Sequence, residues 1–324
     1  MVKRIQITEF GGPEVMQLVD EPMRALTPGE VLINNKAIGL NFIDTYHRTG
    51  LYPMPLPMGL GLEGAGVVES VGKDVTDLKP GDRVGYCAGA IGAYGEKHIM
   101  PADRVIRTPD GISDDIAAAS LLKGLTTQYL IRQIYRVKAG ETVLFHAAAG
   151  GVGLIAVQWL KHLGATVIGT VGSQEKAALA KAAGCDHIIF YNHENIAEKV
   201  SEITKGAKVP VVFDGVGAST WEASLDSLAP RGLMISYGNA SGPVTDVNLG
   251  ILAAKGSLFV TRPTLFAYTD TREALLSAAA DLYEVIQSGA VNIDINAEYA
   301  LADVAQAHRD LEGRKTTGST LLRP

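Results

Sequence analysis

The stretch from Thr142 to Lys176, TVLFHAAAGGVGLIAVQWLKHLGATVIGTVGSQEK, constrains the fold more than any other part of the chain. An apolar run over residues 143–148 leads into Gly150-Gly151-Val152-Gly153. Apolar residues then recur at helical spacing over 154–163, Gly164 stops that segment, and a β-branched run follows over 166–171. Strand, glycine turn, helix and strand in about 30 residues make one βαβ unit. Flanked in this order, Ala148-x-Gly150-x-x-Gly153 reads as the dinucleotide fingerprint G-x-G-x-x-G with alanine at its first position. Gly150 lets a pyrophosphate approach the backbone and Gly153 lets helix and strand pack closely. The N–H groups of Gly151, Val152 and Gly153 at the helix N-terminus receive the phosphates.

The end of the second strand selects the cofactor. An NAD site places Asp or Glu about 20 residues beyond the glycines to accept from the ribose 2′-OH. Here Thr170-Val171-Gly172-Ser173 stand in that region, without a carboxylate, and Lys176 follows. A missing acid removes repulsion against a 2′-phosphate, and a lysine offers it a partner, so the pattern predicts NADPH. The plainer reading of Lys176 is a solvated residue on the next helix, beside Glu175.

At 324 residues the chain is long for one core, which predicts two domains. An apolar fraction of 47% fits a globular protein, and a net charge of −6 without a long basic run argues against nucleic acid or an anionic membrane as the main partner. No apolar stretch nears the roughly 20 residues needed to span a bilayer, and the N-terminus lacks a signal peptide's apolar core. The expectation is a cytoplasmic protein. Cys87 and Cys185, far apart, form neither a disulfide framework nor a thiolate metal cluster.

Before the βαβ unit, short β-branched runs recur at residues 2–7, 31–37, 65–71, 83–86 and 105–107. Turn signals such as Gly11-Gly12-Pro13 and Lys79-Pro80-Gly81-Asp82 separate them. This is the pattern of an antiparallel, barrel-like β domain. Residues 114–122 and 125–135 read as two helices broken at Lys123-Gly124. After the βαβ unit, strands predicted at 187–190, 209–214 and 233–237 alternate with helices at 175–183, 196–204 and 221–228. Alternation of this kind implies a parallel, doubly wound sheet, with ligands at the carboxyl ends of its strands. A strand at 257–261 follows. The tail from 263 holds a helix (271–288), a strand near Tyr299, a helix (303–312) and a closing strand (319–322). The predicted fold class is α/β: a doubly wound parallel sheet over residues 123–262, and a mainly antiparallel β-barrel-like substrate domain from residues 1–122 and 263–324.

The element order and the run Leu144-x-x-x-Ala148-Ala149-Gly150-Gly151-x-Gly153-x-x-x-x-Gln158-x-x-Lys161 resemble the medium-chain dehydrogenase/reductases, in their quinone oxidoreductase and zeta-crystallin branch. Gly11-Gly12-Pro13-Glu14, Asn41-x-x-Asp44, Gly61-x-Glu63-Gly64-Ala65-Gly66, Pro80-Gly81-Asp82-Arg83-Val84 and Lys123-Gly124-x-Thr126 add to the resemblance, which covers the whole chain. It implies a GroES-like first domain beside a Rossmann domain. Zinc-dependent relatives hold catalytic zinc with cysteine, histidine and cysteine; the corresponding positions here are Asn41, Leu62 and Lys123, and the structural zinc lobe is missing. The implied enzyme is therefore zinc-free and binds no metal.

Without a Lewis acid the acceptor must already be electron-poor, as a quinone is. The resemblance implies hydride transfer to a quinone in an interdomain cleft, with Asn41, Tyr46 and Tyr52 as hydrogen-bond donors to the developing oxyanion. Their ordinary readings are a helix cap and half-buried packing, and Asp44 reads as a cap. The resemblance further implies that Gly172, Ser173, Lys176, Tyr191 and Arg314 surround the 2′-phosphate. It puts Thr127, Gly238, Asn239, Ser241, Val260 and Arg262 around the nicotinamide half. His146 reads as a satisfied core histidine. An NADPH-dependent enone or 2-alkenal reductase fits the same residues, and so does an NADPH-binding structural or single-stranded nucleic-acid-binding protein, though the acidic balance counts against the last. The apolar 257–261 strand at a sheet edge predicts a homodimer.

Overall fold

A computed structural model describes residues 1–324. In chain order the elements are β1 (Val2–Ile7), β2 (Gln17–Glu21), β3 (Glu30–Leu40), α1 (Phe42–Thr49), β4 (Met58–Gly59), β5 (Glu63–Val71), β6 (Arg83–Tyr86), β7 (Lys97–Pro101), β8 (Val105–Arg107) and α2 (Asp114–Gln128). Then come β9 (Thr142–Phe145), α3 (Gly151–His162), β10 (Thr166–Val171), α4 (Gln174–Ala182), β11 (His187–Phe190), α5 (Ile196–Ile203), β12 (Val209–Asp214), α6 (Trp221–Ser227), β13 (Leu228–Ser236), α7 (Gly250–Ala254), β14 (Phe259–Thr261) and α8 (Leu265–Tyr268). The tail adds α9 (Arg272–Gln287), β15 (Ile295–Ala300), α10 (Val304–Glu312) and β16 (Ser319–Arg323).

Two compact units result. One comprises Met1–Leu125, Thr269–Gln287 and Ile293–Pro324; the other comprises Thr126–Tyr268 and Ser288–Asn292. The divide thus runs inside α2 and just after α8, a few residues beyond the predicted limits.

The second unit is built on one six-stranded sheet, every pairing parallel, in the order β11-β10-β9-β12-β13-β14. Numbered from β9, this is 3-2-1-4-5-6, the doubly wound dinucleotide-binding order, and the order reverses between β9 and β12. Strands buried on both faces need continuous apolar runs, and Leu144, Ile168, Ile189, Val212 and Met234 supply a core in which all five are wholly buried. Gln158 on α3 exchanges two hydrogen bonds with the backbone of Asn292, at 3.0 and 2.8 Å, which ties the short 288–292 segment into this unit.

The first unit contains a seven-stranded sheet running β15-β16-β3-β5-β6-β8, with β7 also paired to β3, and a separate sheet β2-β1-β4. Its pairings are antiparallel except β15 with β16. Ile5, Ile33, Val68, Val84, Tyr86 and Met100 lie in one buried cluster. Strands β2, β4 and β7 are additional to those expected; β4 has two residues and β7 starts with Lys97-His98, so neither presents a long β-branched run.

One expected break is absent. Residues 114–128 form one helix through Gly124, continued by a π-helical stretch, Tyr129–Ile134. Gly124 serves packing rather than termination: a Cβ there would stand 2.4 Å from Cδ1 of Leu282 on α9.

Candidate functional site

In the second unit the site forms where the strand order reverses. Ala147, just past β9, adopts φ +53°, a left-handed conformation that turns the chain under α3. Gly150 precedes the helix with extended backbone and no side-chain cap, and the first intrahelical bond runs from Leu154 N to Gly150 O at 2.9 Å. The N–H groups of Gly151, Val152 and Gly153 therefore have no intrahelical acceptor and stand at the positive end of a twelve-residue helix, where an anion is favoured. A Cβ on Gly153 would lie 2.3 Å from the carbonyl oxygen of Ala147, so only glycine permits this contact between turn and helix. The features match a pyrophosphate cradle.

At the end of β10, Gly172, Ser173, Lys176 and Tyr191 come together. A Cβ on Gly172 would meet the Tyr191 hydroxyl at 2.4 Å, and Asn192 Nδ2 donates to the Gly172 carbonyl at 2.9 Å. Ser173 caps α4 by accepting from Lys176 N at 3.3 Å, and Lys176 lies in the helix's first turn, partly exposed. The only acidic residue in that turn is Glu175. Arg314 belongs to the first unit, where it is exposed and follows α10 with φ +58°.

On the other side of the reversal, the loop after β12 closes on Asp214. Its carboxylate accepts from Val216 N at 2.8 Å and Gly217 N at 3.0 Å. Gly238 lies against this loop: a Cβ would come within 2.3 Å of the Gly215 carbonyl oxygen, and Asn239 follows directly. Two residues expected at the nicotinamide half are bonded or buried within the protein. The Ser241 hydroxyl donates to Val216 O at 2.9 Å and accepts from Ser219 N at 3.0 Å, so it staples the two loops together. Thr127 is fully buried and has no surface to offer a ligand. Arg262 is exposed and donates to Ser236 O at 3.0 Å, while Val260 lies partly buried on edge strand β14.

In the first unit, Asn41 opens α1, and its backbone N–H donates to Asp44 at 2.9 Å, as a cap requires. Its side-chain amide donates to Glu63 Oε2 at 2.7 Å and lies 3.4 Å from Gly39 O. Asn41 is 4% exposed, so the amide supports Glu63 and is not presented to an acceptor as the resemblance implied, while its ordinary reading as a helix cap agrees with the bond to Asp44. Tyr46 and Tyr52 pack edge to face with ring centroids 5.3 Å apart; Tyr46 is buried and Tyr52 partly exposed.

Glu63 is a residue that sequence reasoning left without a role. It is wholly buried and accepts from Leu122 N at 2.7 Å, from Asn41, and from Lys123 Nζ at 3.4 Å. The signal was a lone carboxylate within an apolar, glycine-dense strand start, since a buried charge must be paired. Asp44 accepts from Tyr94 at 2.7 Å, and burial pushes its carboxyl up to about 7.

This donor set does not fit zinc. Leu62 has no ligating atom, the Asn41 amide nitrogen and the Lys123 ammonium both face Glu63, and an ammonium already supplies the positive charge. No three His, Cys, Asp or Glu side chains converge to hold a metal ion.

Known proteins resemble this chain along its whole length. An alcohol dehydrogenase GroES-like domain model matches residues 27–110, and a zinc-binding dehydrogenase model matches residues 151–280. A quinone oxidoreductase of Pseudomonas aeruginosa is 58% identical over 325 residues, covering all of both chains. The crystal structure of Escherichia coli quinone oxidoreductase complexed with NADPH superposes with a TM-score of 0.98 at 53% identity, covering 99% of this chain and 100% of that one. A 2-haloacrylate reductase from a Burkholderia species is 43% identical, covering 100% of this chain and 99% of its own.

Proposed function

The chain belongs to the quinone oxidoreductase family of medium-chain dehydrogenase/reductases, and from that premise we propose that it reduces quinones with NADPH and needs no metal to do so. The observation that carries the reading is the cradle at the reversal of strand order: the helix N–H groups of Gly151, Val152 and Gly153 have no intrahelical acceptor, and residues 170–173 carry no acid where an NAD site would, with Lys176 following. Bound NADPH supplies a hydride. The residues of the second unit hold and orient it: Gly150, Gly151, Val152 and Gly153 on the pyrophosphate, Gly172, Ser173, Lys176 and Tyr191 on the 2′-phosphate, and Gly238, Asn239, Val260 and Arg262 toward the nicotinamide half.

An electron-poor quinone takes the hydride without a Lewis acid, provided that its developing oxyanion meets a donor. Tyr52, partly exposed against Tyr46, is the donor we assign. The Lys123–Glu63 pair supports metal independence, because it puts an internal cation among the positions where zinc-dependent relatives keep ligands. Strand β14 pairs only with β13, and Phe259 on it is 61% exposed; a second copy pairing along this edge would make a homodimer. No helix is long and apolar enough to cross a membrane, and both cysteines are free and buried, which favours a reducing, cytoplasmic setting.

The test is anaerobic oxidation of NADPH, with NADH in parallel, against 1,4-benzoquinone and a 2-alkenal, with and without a chelator. The expected result is quinone-dependent, chelator-insensitive turnover that is faster with NADPH. The 43% identity to a 2-haloacrylate reductase favours one alternative, reduction of an activated alkene, and a rate on the alkenal orders of magnitude above that on the quinone would replace the first reading with it.

A further inference from the structure

A buried chain of hydrogen bonds runs beneath the reversal of strand order and joins its two sides. Its direction follows from the one end that can only accept. Ser224 Oγ lies 2.6 Å from Asp214 Oδ2 and donates to it, as does Thr220 Oγ1 at 2.7 Å. With its hydrogen committed, Ser224 accepts from His146 Nε2 at 3.0 Å. Burial holds His146 below its ordinary range, so the ring is neutral and its Nδ1 accepts from Thr170 Oγ1 at 3.0 Å. Thr170, its own hydrogen now spent, accepts from the backbone N–H of Ala147 at 3.2 Å. His146, Ser224 and Asp214 have no exposed surface and Thr170 has 1%.

The two ends of this chain are the two walls of the cofactor site. Ala147 is the residue with left-handed backbone whose carbonyl lies under Gly150 and Gly153, and that conformation is unfavourable for a non-glycine residue. It persists only if its surroundings hold it, and the Thr170 hydroxyl engages its N–H. Asp214 fixes the loop that lies against Gly238. We propose that His146 is a positioning residue for the cofactor site: through Thr170 and Ser224 it locks the pyrophosphate turn to the Asp214–Gly217 loop, so that both present a fixed cradle to the dinucleotide. This rests on the reading of the glycine turn as the pyrophosphate site. His146 touches no ligand itself.

The experiment measures NADPH dissociation by fluorescence titration of the full-length protein, with melting temperature and the KM-against-kcat split recorded for each variant. Ser224→Ala and Thr170→Val each break the chain at one link, away from the dinucleotide. Each is expected to raise the NADPH dissociation constant about tenfold, the effect of one hydrogen bond, with KM for NADPH rising more than kcat falls. His146→Gln, which keeps a donor and an acceptor, should recover most of the affinity that His146→Leu loses. Unchanged NADPH affinity in folded Ser224→Ala and Thr170→Val overturns the proposal, even if His146→Leu fails to fold. Gly150→Val is the control: unchanged affinity there would refute the pyrophosphate reading itself, whereas loss there with none in the chain variants would refute only the role of His146.

Discussion

Arg48 donates from its guanidinium to Nδ1 of His308 across 2.9 Å, joining α1 to α10 from positions 260 residues apart. Because a guanidinium can only donate, the His308 ring carries its proton on Nε2, which faces the Tyr94 hydroxyl at 3.1 Å; that hydroxyl in turn donates to Asp44. Arg48 is 1% exposed and also holds Glu312 in a two-bond pair at 2.7 and 3.0 Å and the carbonyl of Gly11 at 3.1 Å. Arg48→Met removes every one of these bonds and leaves a buried carbonyl and imidazole without partners. It should cost about 3 kcal/mol, the low end for breaking a buried pair, because the Glu312 side chain is 35% exposed and can rehydrate. Urea unfolding checks it, and a loss under about 1 kcal/mol would mean the cluster is dispensable.

Acid sensitivity follows from the same cluster. Burial and the neighbouring Arg48 hold His308 down to about 3, and burial holds His98 down to about 4. Below pH 6.5 the unfolded chain protonates both while the native protein does not, so stability falls as pH drops from 6.5 toward those values. Asp44 acts in the opposite sense. Burial raises it to about 7, so the native state takes up a proton that the unfolded state binds only near pH 3.8, and this contribution is lost as pH rises through 7. Its unpartnered Oδ1 is the atom that would carry that proton. One Asp offsets one His. Stability measured from pH 6 to 4 in wild type and His308→Gln should therefore differ in slope, the wild type losing about 1.4 kcal/mol more per pH unit. Parallel curves would mean that His308 titrates normally.

Cofactor choice is assigned to Lys176. A charge-assisted bond to phosphate is worth about 1.5–3 kcal/mol. Lys176→Ala should thus weaken NADPH by roughly 10- to 100-fold while leaving NADH within about twofold. Equal losses for the two cofactors, measured as dissociation constants, would remove lysine from the 2′-phosphate site.

Two glycines in the same unit should respond differently to one methyl group. At Gly153 the added carbon meets backbone alone, Ala147 O at 2.3 Å and Ala148 C at 2.7 Å, and nothing can swing aside. Gly153→Ala should cost about 1–3 kcal/mol of stability together with cofactor affinity. At Gly172 it meets the far end of the Tyr191 side chain, which can rotate. Gly172→Ala should leave stability within about 0.5 kcal/mol and raise the NADPH dissociation constant a few-fold. Thermal melts beside cofactor titrations separate the two, and a stable Gly153→Ala with wild-type affinity would contradict the close packing of the turn.

What the chain reveals before folding is local. The strands at 187–190 and 209–214 are found with the predicted limits because each is an apolar run bounded by turn residues, and the glycine turn announces itself by spacing. The buried polar chemistry is not local. Glu63 meets Asn41 and Lys123 from 22 and 60 positions away, and His146 meets Ser224 from 78. No periodicity encodes such pairs, since they depend on which strands become neighbours. The reading of His146 as a satisfied core histidine agrees with its two bonds, but its partners became visible only once β9, β10 and α6 were set side by side. Asn41 shows the reverse case: its amide suits an oxyanion by chemistry, and the neighbouring carboxylate claims it in space.

Gly124 gives a final test, because helix propensity and packing oppose each other there. In an exposed helix, Gly→Ala stabilises by about 1 kcal/mol. Here the new Cβ would lie 2.4–2.5 Å from both terminal carbons of Leu282, which is wholly buried on α9 and has no route to solvent. Overpacking a core position costs about 1–3 kcal/mol, so packing should win. Gly124→Ala is expected to lower stability by about 1 kcal/mol, and Gly124→Ala with Leu282→Ala should lose less than the sum of the single changes, because the smaller residue vacates the space. Urea unfolding of the three variants reads both quantities. A more stable Gly124→Ala would mean that α2 and α9 can separate without loss, and that glycine is present there for some reason other than their close contact.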